Sequence, residues 1–309
     1  MDRIGMIRVA AIVGPTAVGK TAVSLEVAEA LSAEIISADS MQIYRGMDIG
    51  TAKASSDEQA RVRHHLIDLK DTSEDVTAAE YQSLARAAIE EISNRGNLPL
   101  LVGGSGLYLR AVIDDLDFPP RSSEVRAALE EESEEVGAEV MYERLKQIDP
   151  AAAAKIEPGN LRRTIRALEV IELTGEPFST NDSFDRYESI YRVSIAGLRR
   201  PREDLYARID RRVAEMIADG LIEEARGLGV GLSRTARQAL GYRQILDAPD
   251  ASVEELQGSI AQATRRFARR QSSWFRADPR VEWFEAAAPD LAATLVSFFR
   301  RTLTLPLQG

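Results

Sequence analysis

Apolar residues follow two rhythms along this chain. Short, β-branched runs bounded by glycine, proline or polar residues alternate with stretches whose apolar positions recur every three to four residues. The first rhythm predicts strands over residues 7–13, 34–37, 66–69, 98–102, 191–197 and 281–284. The second predicts helices over 22–31 and 77–94. Beyond Pro201 the chain reads as helix: Leu205, Ile209, Val213, Met216 and Ile217 share a face until Gly220 interrupts it. A further helix over 253–276 carries Leu256, Ile260, Ala263 and Phe267 on its apolar side. Strands alternating with helices predict an α/β fold with a parallel sheet flanked by helices. Between 116 and 187 the pattern turns charged and helical, opened by Pro119-Pro120 and closed by turn-forming residues over 175–185. That stretch reads as a helical insertion domain, which leaves 1–115 and 188–309 as the core domain.

Composition narrows the chemistry. The 309 residues are 44% hydrophobic and 28% charged, as in ordinary globular chains. The absence of cysteine excludes disulfides and zinc–thiolate sites. His64 and His65 are adjacent, without metal-ligand spacing, and read as polar loop residues. No run approaches the ~20 apolar residues of a membrane span, and the first residues lead straight into a strand. The expectation is a cytoplasmic protein with no membrane partner. A net charge of −10 argues against a polyanionic partner on average, but the charge is uneven. Glu130, Glu131, Glu132, Glu134, Glu135, Glu139 and Glu143 crowd one stretch, whereas Arg265, Arg266, Arg269, Arg270, Arg276 and Arg280 crowd another. Such a split places a basic groove on an acidic molecule; the alternative is a set of solvated helix faces, which suits the glutamates better.

The segment Gly14, Pro15, Thr16, Ala17, Val18, Gly19, Lys20, Thr21 matches G-x-x-x-x-G-K-[ST] between a predicted strand and a predicted helix. That context makes the sheet P-loop NTPase-like and the loop a cradle for a phosphate chain. Backbone N–H groups and the helix N-terminus face the anion, Lys20 neutralises it, and the Thr21 hydroxyl ligates Mg²⁺. In a parallel sheet ligands sit off the carboxyl ends of strands, so Asp39 and the Gly103-Gly104-Ser105-Gly106 turn should converge on the loop. Asp39 reads equally as a metal-binding or basic carboxylate and as a cap or turn former. Ser105 reads as a turn residue or a substrate hydrogen-bonder. Arg162, Arg163 and Arg166 lie on neighbouring turns of one helix, either as phosphate contacts or as partners of Glu157 and Glu169. Arg208 and Arg212 are four apart and share a face, as an anion clamp or as partners of nearby carboxylates. Gln238 to Arg243, and more strongly Arg269 to Arg276, mix amide, aromatic and cation in a way that suits nucleic acid.

Taken together, several of these motifs resemble one family. Besides Gly14 to Thr21, they are Asp39-Ser40-Met41-Gln42-Ile43-Tyr44, Gly46 to Lys53, His64-His65-Leu66-Ile67-Asp68, Gly103 to Tyr108, Arg166 to Val170, Gly241-Tyr242-Arg243 and Arg269-Arg270-Gln271. In this order, over about residues 7 to 284, they resemble bacterial tRNA dimethylallyltransferases (tRNA isopentenyltransferases). The resemblance implies transfer of a dimethylallyl group from dimethylallyl diphosphate to N6 of the adenosine 3′ of the tRNA anticodon, with that base flipped out of its stack. It implies Asp39 as general base, Thr21, Ser105 and Arg212 as further catalytic residues, and Gly14 to Thr21 with Arg208 on the diphosphate. It implies Mg²⁺ on Thr21. Contacts to the anticodon stem-loop fall to Asp39, Ser40, Met41, Gln42, Ser105, Arg126, Arg162, Arg163, Thr164, Ile165, Arg166, Gln238, Gly241, Tyr242, Arg243 and Arg270. A monomer is expected. Ser105 stands where relatives usually carry Thr, which keeps the hydroxyl. With no cysteine in the sequence, the zinc-finger extension of eukaryotic relatives is not expected here. The rival readings are a prenyltransferase acting on free adenine nucleotides, a small-molecule P-loop kinase and a nucleotide-dependent binding module. The helical insertion and the C-terminal arginines favour the tRNA enzyme over all three.

Overall fold

The computed structural model describes residues 7–180, 186–229 and 231–304. The chain divides into two compact units, one of residues 1–114 with 189–309 and one of residues 115–188.

The first unit is built on a parallel sheet: β1 (Arg8–Val13), β2 (Ala33–Ala38), β3 (His64–His65), β4 (Leu98–Gly103), β5 (Arg192–Arg199) and β6 (Val281–Glu285), in the order β3-β2-β4-β1-β5-β6. Val9 to Val13 are fully buried, as the middle of a sheet covered on both faces requires; this is why these strands read as continuous apolar runs. Ala10 lies opposite Leu100 of β4 and Ser194 of β5. Ala38 and Gly103, the last residues of β2 and β4, are register partners, so both strands end at one level. Helix α1 (Lys20–Leu31) follows β1, α2 (Ser56–Arg61) precedes β3, and α3 (Ala78–Asn94) packs on α4 (Gly106–Ile113).

The strand expected over 66–69 lies instead at His64 and His65, paired with Ile35 and Ile36. Leu66 and Asp68 adopt left-handed conformations, φ 62° and 54°, which no ladder accommodates. Three apolar residues around Asp68 suggest a strand, yet Leu66 is buried as a loop side chain.

Numbered in chain order, the helices of the second unit come next. They are α5 (Ser123–Val136), α6 (Ala138–Ile148), α7 (Pro150–Ala154) and α8 (Leu161–Thr174), packed around Leu129, Met141, Leu145, Ile165 and Leu168. Much of the glutamate cluster is solvated helix surface, with ion pairs such as Arg144 to Glu132 at 2.6 Å.

The C-terminal part of the first unit carries α9 (Arg202–Ala218) and α13 (Val253–Ala277), packed side by side. Arg265 pairs with Asp210, and the Arg269 guanidinium lies 3.4 Å from the Tyr206 hydroxyl, so the two helices run antiparallel. Between them come α10 (Leu221–Gly227), α11 (Arg234–Arg237) and α12 (Tyr242–Asp247). The last helix, α14 (Leu291–Thr304), packs on α1. Among the described residues no helix is long and apolar enough to cross a membrane.

Candidate active site

Off the carboxyl ends of β1, β2 and β4 lies a cavity of about 830 Å³, lined entirely by the first unit. Its floor is the turn between β1 and α1. Gly19 precedes α1 at φ 112°, a conformation open to glycine, and turns the chain so that the helix begins at Lys20. Lys20 Nζ donates to the carbonyls of Gly14 and Pro15, both at 2.9 Å, and Thr21 is exposed toward the cavity. Gln271 of α13 holds the turn in place. Its side-chain oxygen accepts from Thr16 N at 2.8 Å and its nitrogen donates to Gly104 O at 3.0 Å. A Cβ on Gly104 would stand 2.1 Å from that nitrogen, so glycine makes room for the Gln271 amide against the β4 turn.

Two arginines of α9 face the same turn. Arg208 Nε donates to Ala17 O at 2.9 Å, and Arg212 stands one turn further along. Asp39, the first residue after β2, accepts Met41 N at 2.9 Å and lines the cavity with Ser40, Met41 and Gln42. Asp39 is a turn former, one carboxylate oxygen accepting Met41 N, and the group also faces the cavity. Gln42 is spent on the fold, accepting from Ser37 Oγ at 2.7 Å and donating to Thr51 and Ala52 carbonyls.

The charges perturb one another. Burial, reinforced by Arg212 and opposed by Asp39, lowers Lys20 to about 7. Burial raises Asp39, against the pull of Met41 N, Lys20 and Arg212. Burial lowers Arg212, with Asp39 holding it up and Arg208 pushing it down. A carboxylate with a raised pKa and a cluster of basic side chains face one cavity, an arrangement that can take up a proton beside an anion.

The other expected residues divide by place. Gly14, Pro15 and Val18 lie behind the turn and do not line the cavity; Val18 O accepts Arg200 Nε at 2.9 Å. Ser105 also lies outside the lining. It precedes α4 without capping it, where Trp274 of α13 packs over Gly106. Gln238, Gly241, Arg243 and Arg270 do line the cavity.

Tyr242 is a correction. It is fully buried, its hydroxyl donates to Glu224 at 2.5 Å, and it cannot present its ring to a base. Thr164 and Ile165 are corrected likewise, at 0% and 2% exposure inside the second unit. In that unit Arg162 and Arg163 are exposed. Arg126 and Arg166 instead hold the buried Glu169 at 3.5 and 3.0 Å, and Arg166 also donates to the Pro119 and Pro120 carbonyls. Gln271 had been read only as part of a motif. Its signal was available: it continues the spacing of Ile260 and Phe267, a polar residue on an apolar stripe.

Strand, glycine turn and helix N-terminus over one cationic cavity, set on a parallel sheet flanked by helices, define the class, an α/β protein. The comparisons narrow it. A family model described as IPP transferase matches residues 42–278. A tRNA dimethylallyltransferase of Syntrophomonas wolfei is 51% identical over 288 residues, covering 90% of this chain and 92% of its own. The full-length tRNA isopentenylpyrophosphate transferase of Bacillus halodurans superposes with a TM-score of 0.71 at 43% identity, covering 96% of this chain and 97% of its own. A eukaryotic dimethylallyltransferase acting on tRNA superposes with a TM-score of 0.79 at 26% identity, covering 94% and 77%. The chain belongs to the IPP transferase family, and it is a prenyltransferase.

Proposed function

We propose that this protein transfers a dimethylallyl group from dimethylallyl diphosphate to N6 of the adenosine 3′ of the anticodon in tRNA. The observation that carries the reading is the cavity wall, where Asp39 faces the glycine turn together with Lys20 and Arg212. In the reaction the N6 nitrogen attacks the allylic C1. The N6–C1 bond forms, the C1–O bond breaks, diphosphate leaves, and the N6 proton passes to Asp39. The raised pKa of Asp39 suits it to that proton. The N–H groups at the start of α1, with Lys20, Arg208 and Arg212, stabilise charge that grows on the leaving oxygens.

Mg²⁺ fits this site only beside a phosphate. Among the described residues no group of three acidic or histidine side chains offers a cage, whereas a hydroxyl, water and phosphate oxygens make an ordinary Mg²⁺ shell. Thr21 would hold the ion, which supplies further charge neutralisation on the diphosphate. The target adenosine enters by flipping out of its stack. Arg162 and Arg163 of the second unit, and Gln238, Arg243 and Arg270 of the first, contact the anticodon stem-loop, and the enzyme works as a cytoplasmic monomer.

The test is to supply dimethylallyl diphosphate, Mg²⁺ and either unmodified tRNA or AMP, and to measure which acceptor gains mass. The expected result is tRNA alone, with turnover lowered roughly 10² to 10⁴-fold in Asp39→Ala. Incorporation into AMP alone, or an Asp39→Ala enzyme of full activity, would overturn the reading.

A further inference from the structure

The cavity changes character along its length, and α9 records the change. Arg208, Arg212 and Met216 follow one another at four-residue spacing, so they line one stripe of the helix. Met216 stands about 6 Å beyond Arg212 along the axis. Where the arginines face the glycine turn, Met216 faces the cavity half-buried, as does Leu240 from the segment before α12.

Beside them, at Gly50 and Gly241, the cavity wall is densely packed on apolar side chains. A Cβ on Gly50 would lie 2.4 Å from the Tyr242 ring and 2.9 Å from Leu221, and one on Gly241 would lie 3.2 Å from Leu221. The polar groups packed behind those two glycines are already paired. The Glu224 carboxylate accepts from Ile49 N at 2.9 Å, from Gly50 N at 3.2 Å and from the Tyr242 hydroxyl.

We propose that Met216 and Leu240 form the stop that limits the prenyl donor to five carbons. This rests on the diphosphate reading of the glycine turn. With the diphosphate held by Arg208 and Arg212, the allylic group runs along α9 toward Met216. The four-carbon backbone of a dimethylallyl group ends there, and a second isoprene unit collides with the Met216 and Leu240 side chains.

The experiment compares kcat/KM for dimethylallyl and geranyl diphosphate, with unmodified tRNA as acceptor, in wild type, Met216→Ala and Met216→Ala/Leu240→Ala. Wild type should prefer the five-carbon donor by at least about 100-fold, and the variants should narrow this to within about ten-fold. Use of the short donor should itself fall several-fold, since its packing is lost. Met216→Phe should act oppositely, raising KM for dimethylallyl diphosphate about ten-fold while leaving the Kd for pyrophosphate unchanged. Variants that use the short donor and keep the wild-type ratio would overturn the proposal, as would a wild type that takes both donors equally. A wild type that transfers nothing from dimethylallyl diphosphate would instead overturn the reading of the site itself.

Discussion

At the scale of single residues, Lys20 is the most informative group. Its pKa of about 7 belongs to a site where burial and Arg212 disfavour the charge more than Asp39 supports it. A bound diphosphate reverses that balance, because an anion beside an ammonium favours the protonated form. Binding above pH 7 must therefore draw a proton onto Lys20, and affinity falls as pH rises through and beyond 7. Lys20→Arg keeps its charge throughout and removes this linkage. Calorimetry of pyrophosphate binding at pH 8.5 in buffers of different ionisation enthalpy should show wild type taking up nearly one proton more than Lys20→Arg. Relative to that variant, wild-type affinity should drop by close to ten-fold per pH unit above 7. Equal proton uptake in the two proteins would show that Lys20 is already charged in the free site. Asp39→Asn should move the wild-type midpoint lower, since Asp39 is what holds the lysine up.

At the scale of elements, the active site depends on α13 being docked through Gln271. Replacing Gln271 with Ala leaves Thr16 N and Gly104 O without their partner, an effect on the order of 1 to 3 kcal/mol. Gly104→Ala should cost a similar amount, because its Cβ displaces the same amide. The two are therefore not additive, and Gly104→Ala should cost less in a Gln271→Ala background than in wild type. Urea midpoints of the four proteins measure this, and strict additivity would mean that the two residues do not share the contact. This docking also shows where the sequence is readable. Strands buried on both faces, the glycine turn and the α13 stripe follow from local periodicity, and so the sheet and the Lys20 end of the site were legible. The burial of Tyr242 was not, because it depends on Glu224 and Gly50, which lie 18 and 192 residues away. Thr164 and Ile165 failed similarly: an arginine-rich run hid the fact that one face of α8 packs on α6. The short β3 was missed because two left-handed residues, not hydropathy, end it.

That edge of the sheet carries a second element-scale consequence. Burial alone pushes the β2 carboxylate Glu34 up, but bonds from Arg95, Asn97 and His65 outweigh it and pull its pKa down to about 2. A carboxylate lowered on folding stabilises the protein above its unfolded pKa of about 4.5, and the contribution is lost as pH falls toward 2. Stability measured by urea between pH 5 and pH 2.5 should fall by roughly 2 to 3 kcal/mol more in wild type than in Glu34→Gln. Parallel curves would mean that Glu34 has an ordinary pKa.

At the scale of the whole molecule, the proposed function asks a chain of net charge −10 to bind a polyanion. Repulsion at long range is screened within about 8 Å at physiological salt, so what counts is which cations are free to meet phosphates at close range. The structure separates them. Arg126 and Arg166 are occupied with Glu169, whose carboxylate is 1% exposed, so removing either one is first a stability lesion. Arg162 and Arg163 are exposed on the first turn of α8. If they meet tRNA phosphates, each releases counterions on binding, and log K against log salt should lose about one unit of slope for each arginine changed to alanine. Pyrophosphate affinity should not move in these variants, because the glycine turn lies in the other unit. Arg166→Ala should differ in kind, lowering the melting temperature before it lowers the slope. Titrating wild type, Arg162→Ala, Arg163→Ala and Arg166→Ala with unmodified tRNA from about 50 to 300 mM salt separates these cases. Equal slopes in all four proteins would remove α8 from the tRNA surface and leave the cations around the cavity as its whole basis.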